Sequence, residues 1–337
     1  MSGGFRVAIV GATGAVGQEI MKILLERKFP IADLKLLASA RSEGKKLKFG
    51  DEELTVSEAK PSSFSGVEIA FFAGGAVSKE LVPEAVARGA VAIDNSSTFR
   101  LEPEVPLVVP EVNPEDLEKH RGIISNPNCS TIIFVVALKP LHDAARVKRA
   151  VVTTMQAVSG AGKEAIDELL VQTRQVLAGE SAVPRVFPHQ IAFNLIPHID
   201  VFFENGYSRE EMKLLLETRK ILHDEEIRIT ATTVRVPVLR SHSESVNIET
   251  ERKLTSEEAR VILKEAPGIV VQDDVDNCQY PMPLFTSDRD EVYVGRIRDD
   301  ISHEKALNFW IVADQLRKGA ATNAVQIAEA LSKRNLL

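Results

Sequence analysis

Cysteine is nearly absent from this sequence: Cys129 and Cys278 are the only two in 337 residues. Two thiols are too few for a disulfide framework and fit a reducing cytosol. Long apolar runs are also missing, and none approaches the roughly 20 residues that a membrane-spanning helix needs. The opening Met-Ser-Gly-Gly-Phe-Arg-Val has no apolar signal-peptide core, so a cytoplasmic location is expected and a membrane partner is not. An excess of positive charge is likewise lacking. The net charge of −7 argues against nucleic acid and anionic membranes as partners, while local basic residues can still hold an anionic small molecule. There is no internal repeat or low-complexity tract. What is present, 44% hydrophobic and 26% charged residues, is the composition of a globular chain long enough for two domains, each with its own interior.

One of the two thiols stands at a telling place. Gly122-Ile-Ile-Ser125 reads as a short buried strand, and Pro127 holds Asn126 extended. Ser130 to Leu138 is then a charge-free apolar run, which predicts a buried helix ending before Pro140. Cys129 would lie in the first turn of that helix, where unpaired N–H groups and the positive dipole end favour thiolate over thiol. A nucleophile is one meaning of such a residue; a small buried hydrophobe is the ordinary other.

In the first half of the chain, the strand pattern Arg6-Val-Ala-Ile-Val10 runs straight into Gly11-Ala-Thr-Gly-Ala-Val-Gly17 and a helix from Gln18 to about Arg27. Strand, glycine loop and helix N-terminus make a cradle for a dinucleotide pyrophosphate. The next strand, Leu34 to Ala38, ends not in a ribose-binding acid but in Ser39-Ala-Arg41-Ser42. A guanidinium flanked by hydroxyls suits a 2′-phosphate, so the expected cofactor is NADP. Further strands at Val67–Ala73 and Val91–Asp94, alternating with a helix near Lys79–Arg88, predict a parallel sheet with ligands gathered at its carboxyl edge. Arg100 follows the fourth of these strands and falls near the thiol in that arrangement.

In the second half, Ala150–Ala157 is β-rich and ends in Ser159-Gly-Ala-Gly162, after which a helix opens near Lys163. The stretch from Gly179 to Gly206 is weakly periodic and is read as loops that cover a site or pack against another subunit. Arg209–Leu222 is helical, and Glu210 and Lys213 on its face make, by default, an exposed ion pair. Ile227–Val238 and Ser245–Glu249 are strands, with His242 at a strand end. Thr255 and Glu258 spell a capping box. Strands near Ile269–Gln272 and Glu291–Ile297 complete a mixed sheet, and Gln315–Leu331 is a helix.

Gly-Ala-Thr-Gly-Ala-Val-Gly, Ser-Asn-Pro-Asn-Cys-Ser-Thr and Arg-Val-Pro-Val-Leu-Arg-Ser-His-Ser-Glu occur here in the order seen in the aspartate-β-semialdehyde dehydrogenase family. Gln156-Ala-Val-Ser-Gly-Ala-Gly and Arg317-Lys-Gly-Ala-Ala-Thr-Asn also resemble it. The resemblance covers almost the whole chain. It implies an α/β fold: a Rossmann-type NADP-binding domain, residues 1–128 plus 316–337, and an α+β catalytic and dimerisation domain with a mixed sheet, residues 129–315.

It implies an NADPH-dependent, reversible conversion of β-aspartyl phosphate into aspartate semialdehyde and inorganic phosphate, a step toward lysine, threonine, methionine and diaminopimelate. Cys129 would be the nucleophile that forms a thioester, His242 the acid/base, and Gln156 the residue that orients the histidine or the substrate carbonyl. Arg235 would fork onto the α-carboxylate, Glu210 would meet the ammonium, and Lys213, Arg100 and Asn128 would bind phosphate. Gly11, Thr13, Gly14, Ala15, Val16, Ser39, Arg41, Ser42, Ser159, Gly160 and Gln315 match cofactor contacts, and no metal is called for. A homodimer is expected, with a dimer of dimers left open. The alternatives are N-acetyl-γ-glutamyl-phosphate reductase, which shares the thioester logic, and a non-catalytic nucleotide-binding paralogue.

Overall fold

The computed structural model describes residues 3 to 337, so the first two residues of the expected nucleotide domain lie outside the described residues. The chain divides into two units, Met1–Asn128 with Ala320–Leu337, and Cys129–Gly319. Return to the first unit therefore falls at Ala320, against residue 316 expected. The difference arises because Asp314, Gln315 and Arg317 make side-chain bonds within the second unit, to Arg240, to Ser241 and Ser159, and to Asp290.

The first unit runs β1 (Phe5–Val10), α1 (Ala15–Glu26), β2 (Ile31–Ala38), an antiparallel ribbon of β3 (Lys46–Phe49) and β4 (Glu52–Thr55), β5 (Ser57–Glu58), β6 (Ile69–Phe72), α2 (Gly75–Ala87), β7 (Val91–Asp94) and β8 (Ile123–Ser125). Six strands form one parallel sheet in the order β5-β2-β1-β6-β7-β8. Runs such as Val7-Ala-Ile-Val10 are apolar at every position because both faces of such a sheet are covered. Val7 and Ile9 pack with Ile20 and Leu24 of α1 and with Ile327 and Leu331 of the C-terminal helix Thr322–Arg334. Ala8 and Val10 meet Leu81, Val82 and Ala85 of α2 on the other side. The order reverses at β1, which opens a crevice between the loops that follow β1 and β6. Glycine is required there: Gly11 has φ +83°, and a Cβ on it would stand 3.0 Å from the backbone nitrogen of Gly74.

The second unit runs α3 (Cys129–Ala145), β9 (Val147–Ala157), α4 (Lys163–Leu177), α5 (Arg209–Leu222), β10 (Arg228–Val236), β11 (His242–Thr250), α6 (Ser256–Glu265), β12 (Ile269–Val271), α7 (Pro283–Thr286), β13 (Val292–Asp299) and β14 (Ala306–Ala313). Its sheet, in the order β10-β9-β11-β14-β13-β12, is mixed: β9–β10 and β12–β13 are parallel and the remaining pairs antiparallel.

Three local expectations need correction. Helix α3 does not stop before Pro140 but runs on to Ala145. A proline inside a helix costs about 3 kcal/mol, and here Ala137, Leu138 and Leu141, all fully buried, offset that cost. Strand β14, unforeseen in the sequence, sits at the middle of the second sheet. The C-terminal helix begins at Thr322, after a π-helical turn over Arg317–Ala321, and not at Gln315.

Candidate active site

Strand and helix ends of the second unit bring reactive side chains together. Gln156 is the penultimate residue of β9 and Arg235 that of β10, and the parallel register sets them side by side. His242 opens β11, antiparallel to β9 on its other edge. All three are buried.

The Nδ1 atom of His242 accepts the backbone N–H of Ala157 at 3.1 Å. A peptide N–H can only donate, so the neutral ring carries its proton on Nε2. That nitrogen lies 3.4 Å from the amide nitrogen of Gln156. Burial, reinforced by the neighbouring Arg235, holds the imidazole well below its usual 6.5, and the ring is uncharged near neutral pH.

The Gln156 amide nitrogen and His242 Nε2 both carry protons, so their approach is a packing contact and not a hydrogen bond; Gln156 is held instead by the charged cluster beside it. Its amide nitrogen donates to Glu210 Oε1 at 3.1 Å, and its oxygen accepts the Thr154 hydroxyl at 3.0 Å. Glu210 sits in the first turn of α5, which a Ser208–Glu211 capping box starts at that point. Lys213 Nζ donates to Glu210 Oε2 and to Asp200 Oδ2, each at 3.0 Å. The expectation of an exposed ion pair is corrected: the Glu210 and Lys213 side chains are 7% and 18% exposed. Spacing put the two on one helical face, but that face turns inward. Burial alone would lower the Lys213 ammonium; Glu210 and Asp200 outweigh it and raise its pKa above 10.5.

Arg235 donates from Nη1 to Ala157 O at 2.7 Å, and its guanidinium lies 5.9 Å from the Phe187 ring centroid. Backbone bonds between Arg235 and Ile196 in both directions dock the 179–206 segment along β10 at this residue. Burial lowers the arginine's pKa, while Glu210 and Cys129 act to raise it. The thiol is thus within electrostatic reach of the guanidinium. Cys129 is the first residue of α3 and partly exposed, as the sequence pattern implied. Close packing surrounds it: a Cβ on Gly319 would stand 3.1 Å from the Cys129 Cβ. Likewise a Cβ on Gly160 would stand 2.9 Å from Arg235 Nη1 and 3.3 Å from His242 Nε2. Gln315 donates to the Ser159 hydroxyl and accepts the Ser241 N–H at 2.8 Å.

The other expected residues belong to the first unit. Arg100, buried, donates to the carbonyls of Asn126 and Asn95 at 2.9 and 2.8 Å. Asn126 is held in turn by Asn95 and Asn323, which fixes the segment leading to the buried Asn128. Gly11, Thr13, Gly14 and Ser39 line a cavity of about 500 Å³ at the crevice of the parallel sheet. Ala15 and Val16 begin α1, whose N-cap Gly14 provides no side-chain cap. Its first N–H groups are therefore available to a phosphate, and α2, capped by Gly74, offers a second such end. These features fit a dinucleotide. Arg41 and Ser42 lie in the 3₁₀ turn that follows β2.

Sequence reasoning missed several members of this arrangement. Asp200 lies in the irregular segment, 13 residues from Lys213, with no pattern to connect them. Thr154 precedes Gln156 by two on a strand, so period-two alternation could have placed it on the same face. Gly319 and Asn323 stand inside a quoted motif, but only packing shows what they touch. Among the described residues, no group of His, Cys, Asp and Glu is arranged to hold a metal.

Known proteins share this architecture. Residues 6–120 match the family model described as semialdehyde dehydrogenase, NAD binding domain, and residues 138–318 match semialdehyde dehydrogenase, dimerisation domain. The aspartate-semialdehyde dehydrogenase of Aquifex aeolicus is 58% identical over 99% of this chain and 100% of its own. That of Bacillus subtilis is 52% identical over the full length of both. A crystal structure of aspartate semialdehyde dehydrogenase II from Vibrio cholerae complexed with ASA superposes with a TM-score of 0.96 at 48% identity, covering 98% of this chain and 99% of that one. The Candida albicans enzyme with NADP gives 0.77 at 28% identity, over 99% and 100%.

Proposed function

This chain belongs to the aspartate-semialdehyde dehydrogenase family, and from that premise we propose how its residues divide the work. It is an NADP-dependent oxidoreductase that interconverts β-aspartyl phosphate with aspartate semialdehyde and inorganic phosphate, in the cytoplasm, toward the amino acids derived from aspartate. The observation that carries the reading is the buried cluster in which Gln156 is bonded to Glu210 and packs against His242, with Arg235 at its side and Cys129 within its field.

Cys129 attacks the acyl phosphate as thiolate; its carbon–oxygen bond to phosphate breaks, phosphate leaves, and a thioester remains on sulfur. The helix N-terminus and Arg235 both stabilise the thiolate. NADPH, when bound, supplies the hydride that reduces the thioester carbon. His242 gives the resulting oxyanion a proton from Nε2, the nitrogen that the Ala157 bond leaves protonated. On collapse of the thiohemiacetal the hydroxyl proton returns to His242 Nε2, the carbon–sulfur bond breaks, the aldehyde leaves and the thiolate is restored. The Ala157 N–H orients the ring, Gln156 orients the substrate carbonyl, and Arg235 takes the α-carboxylate through its remaining donors. Glu210 supplies negative charge for the ammonium, and Lys213, Arg100 and Asn128 bind phosphate. A buried carboxylate prepared for an ammonium favours aspartyl phosphate over a substrate with an acylated amine.

The match to a dimerisation domain supports a homodimer built on the second unit. A light-scattering mass tests it and also reads whether two dimers pair. The direct test of function is phosphate-dependent formation of NADPH from aspartate semialdehyde. Activity in the presence of phosphate and none in its absence supports the reading; healthy cofactor binding without turnover overturns it.

A further inference from the structure

The dinucleotide pocket of the first unit holds a charge that the function above does not use. β5 is two residues long, yet it extends the parallel sheet beyond β2, with Ser57 opposite Leu37 and Glu58 opposite Ala38. The N–H of Ala59 donates to Ala38 O at 2.8 Å and carries the pairing past the end of β2. Glu58 accordingly stands beside the last residue of β2, and it lines the same cavity as Ser39, Ala40, Gly11 and Gly14.

This is where a dinucleotide fold receives the adenosine ribose, and a carboxylate there accepts a hydrogen bond from the 2′-hydroxyl. β2 itself runs into Ser39-Ala-Arg41-Ser42 without an acid. The acid arrives from the neighbouring strand instead. It comes with a counter-ion: Lys60 Nζ lies 2.5 Å from Glu58 Oε2, with the two side chains 57% and 30% exposed. Arg41, in the 3₁₀ turn that follows β2, is exposed and has no hydrogen-bond or ion-pair partner among the described residues. The ends of β2 and β5 thus carry a guanidinium suited to a 2′-phosphate and a carboxylate suited to a bare hydroxyl.

We propose that Glu58 is a specificity-determining residue of this pocket: its carboxylate accepts the ribose hydroxyls of a dinucleotide that lacks a 2′-phosphate and opposes one that carries it. Arg41, Ser39 and Ser42 pull the other way, and Lys60 sets the balance by neutralising Glu58. The chain therefore binds NAD as a second, weaker ligand and does not reject it. The inference rests on reading the glycine-loop cavity as the dinucleotide site.

Titration calorimetry on the full-length protein tests it without turnover, with NADP⁺ and NAD⁺ and with the fragments 2′,5′-ADP and ADP. In Glu58→Gln, the NAD⁺ dissociation constant should rise about tenfold, the loss of a charge-assisted bond. That of NADP⁺ should fall about threefold, the relief of a partly screened repulsion. Lys60→Ala should weaken NADP⁺ and tighten NAD⁺, each about threefold, reading the same charge from its other side. Both residues sit at an open sheet edge, and a thermal melt confirms that the variants fold. Equal changes for the two dinucleotides, or none, with the parent protein binding NADP⁺ normally, overturn the role of Glu58 alone. Failure of the parent to bind either dinucleotide overturns the pocket assignment and the proposal with it.

Discussion

Replacing Gly160 by alanine should damage the reaction far more than it damages the fold. The added Cβ would meet Arg235 Nη1 at 2.9 Å, His242 Cε1 at 3.2 Å and His242 Nε2 at 3.3 Å. Ordinary carbon contacts lie near 3.5 Å or beyond, so the guanidinium must retreat by about half an ångström. It cannot do so freely, because Nη1 is bonded to Ala157 O at 2.7 Å and the residue is buried. The imidazole is pinned from its far side by the Ala157 N–H. A displacement of 1 Å in catalytic groups can cost about a hundredfold in rate; half of that predicts a loss of about ten- to thirtyfold in kcat/KM. In free energy this is about 1.4 to 2 kcal/mol of transition-state stabilisation. Overpacking on this scale costs stability about 1 to 3 kcal/mol, which a thermal melt measures separately. Steady-state kinetics on aspartate semialdehyde with saturating phosphate is the assay. Unchanged kcat/KM in a folded Gly160→Ala protein would show that the ring, the guanidinium and this glycine are not in contact in solution.

Arg235→Lys should raise KM for the semialdehyde about tenfold or more, since an ammonium can replace neither the fork nor the Ala157 bond, and kinetics at fixed phosphate reads it. Because burial keeps His242 neutral well below 6.5, the pH profile of kcat/KM should show no acid limb near that value; a limb at the ordinary imidazole pKa contradicts the buried, amide-bonded ring. Glu244 is wholly buried, neither carboxyl oxygen has a partner among the described residues, and burial raises its pKa well above 4.5. Such a group holds its proton more tightly in the native state than in the unfolded chain, so its burial costs stability increasingly as pH rises from 4.5 toward the folded value. Glu244→Gln should therefore gain about 2 °C in Tm at alkaline pH relative to its difference from the parent at pH 4; a pH-independent difference refutes the argument.

Much of the first unit was legible because local chemistry dictates it. A run of buried β-branched residues, a glycine loop and an amphipathic helix admit few arrangements, and Val91–Asp94 emerged with the bounds read from sequence. The second sheet was legible in kind but not in full. Ala306–Ala313 alternates too little to declare itself a strand, and only its neighbours β11 and β13 define it. Pro140 misled for a related reason: propensity is local, and the buried surface that carries α3 past it is not. Cys129, Gln156, Arg235 and His242 were nameable from motifs, yet spacing could not say that Gln156 bonds Glu210 while packing against His242. Nor could it say that the Glu210–Lys213 face turns inward. Asp200 and Glu58 reach their places through an irregular segment and a two-residue strand, neither of which leaves a periodic trace.

The central claim is that the sulfur of Cys129 carries the acyl group. Mixing the protein with aspartate semialdehyde and NADP⁺ in the absence of phosphate, then quenching in acid and mapping peptides by mass spectrometry, tests it most directly. The account predicts one aspartyl group on the peptide containing Cys129, removed when phosphate is added before the quench. An unmodified Cys129 peptide alongside a full burst of NADPH, or normal turnover by Cys129→Ala, would contradict it.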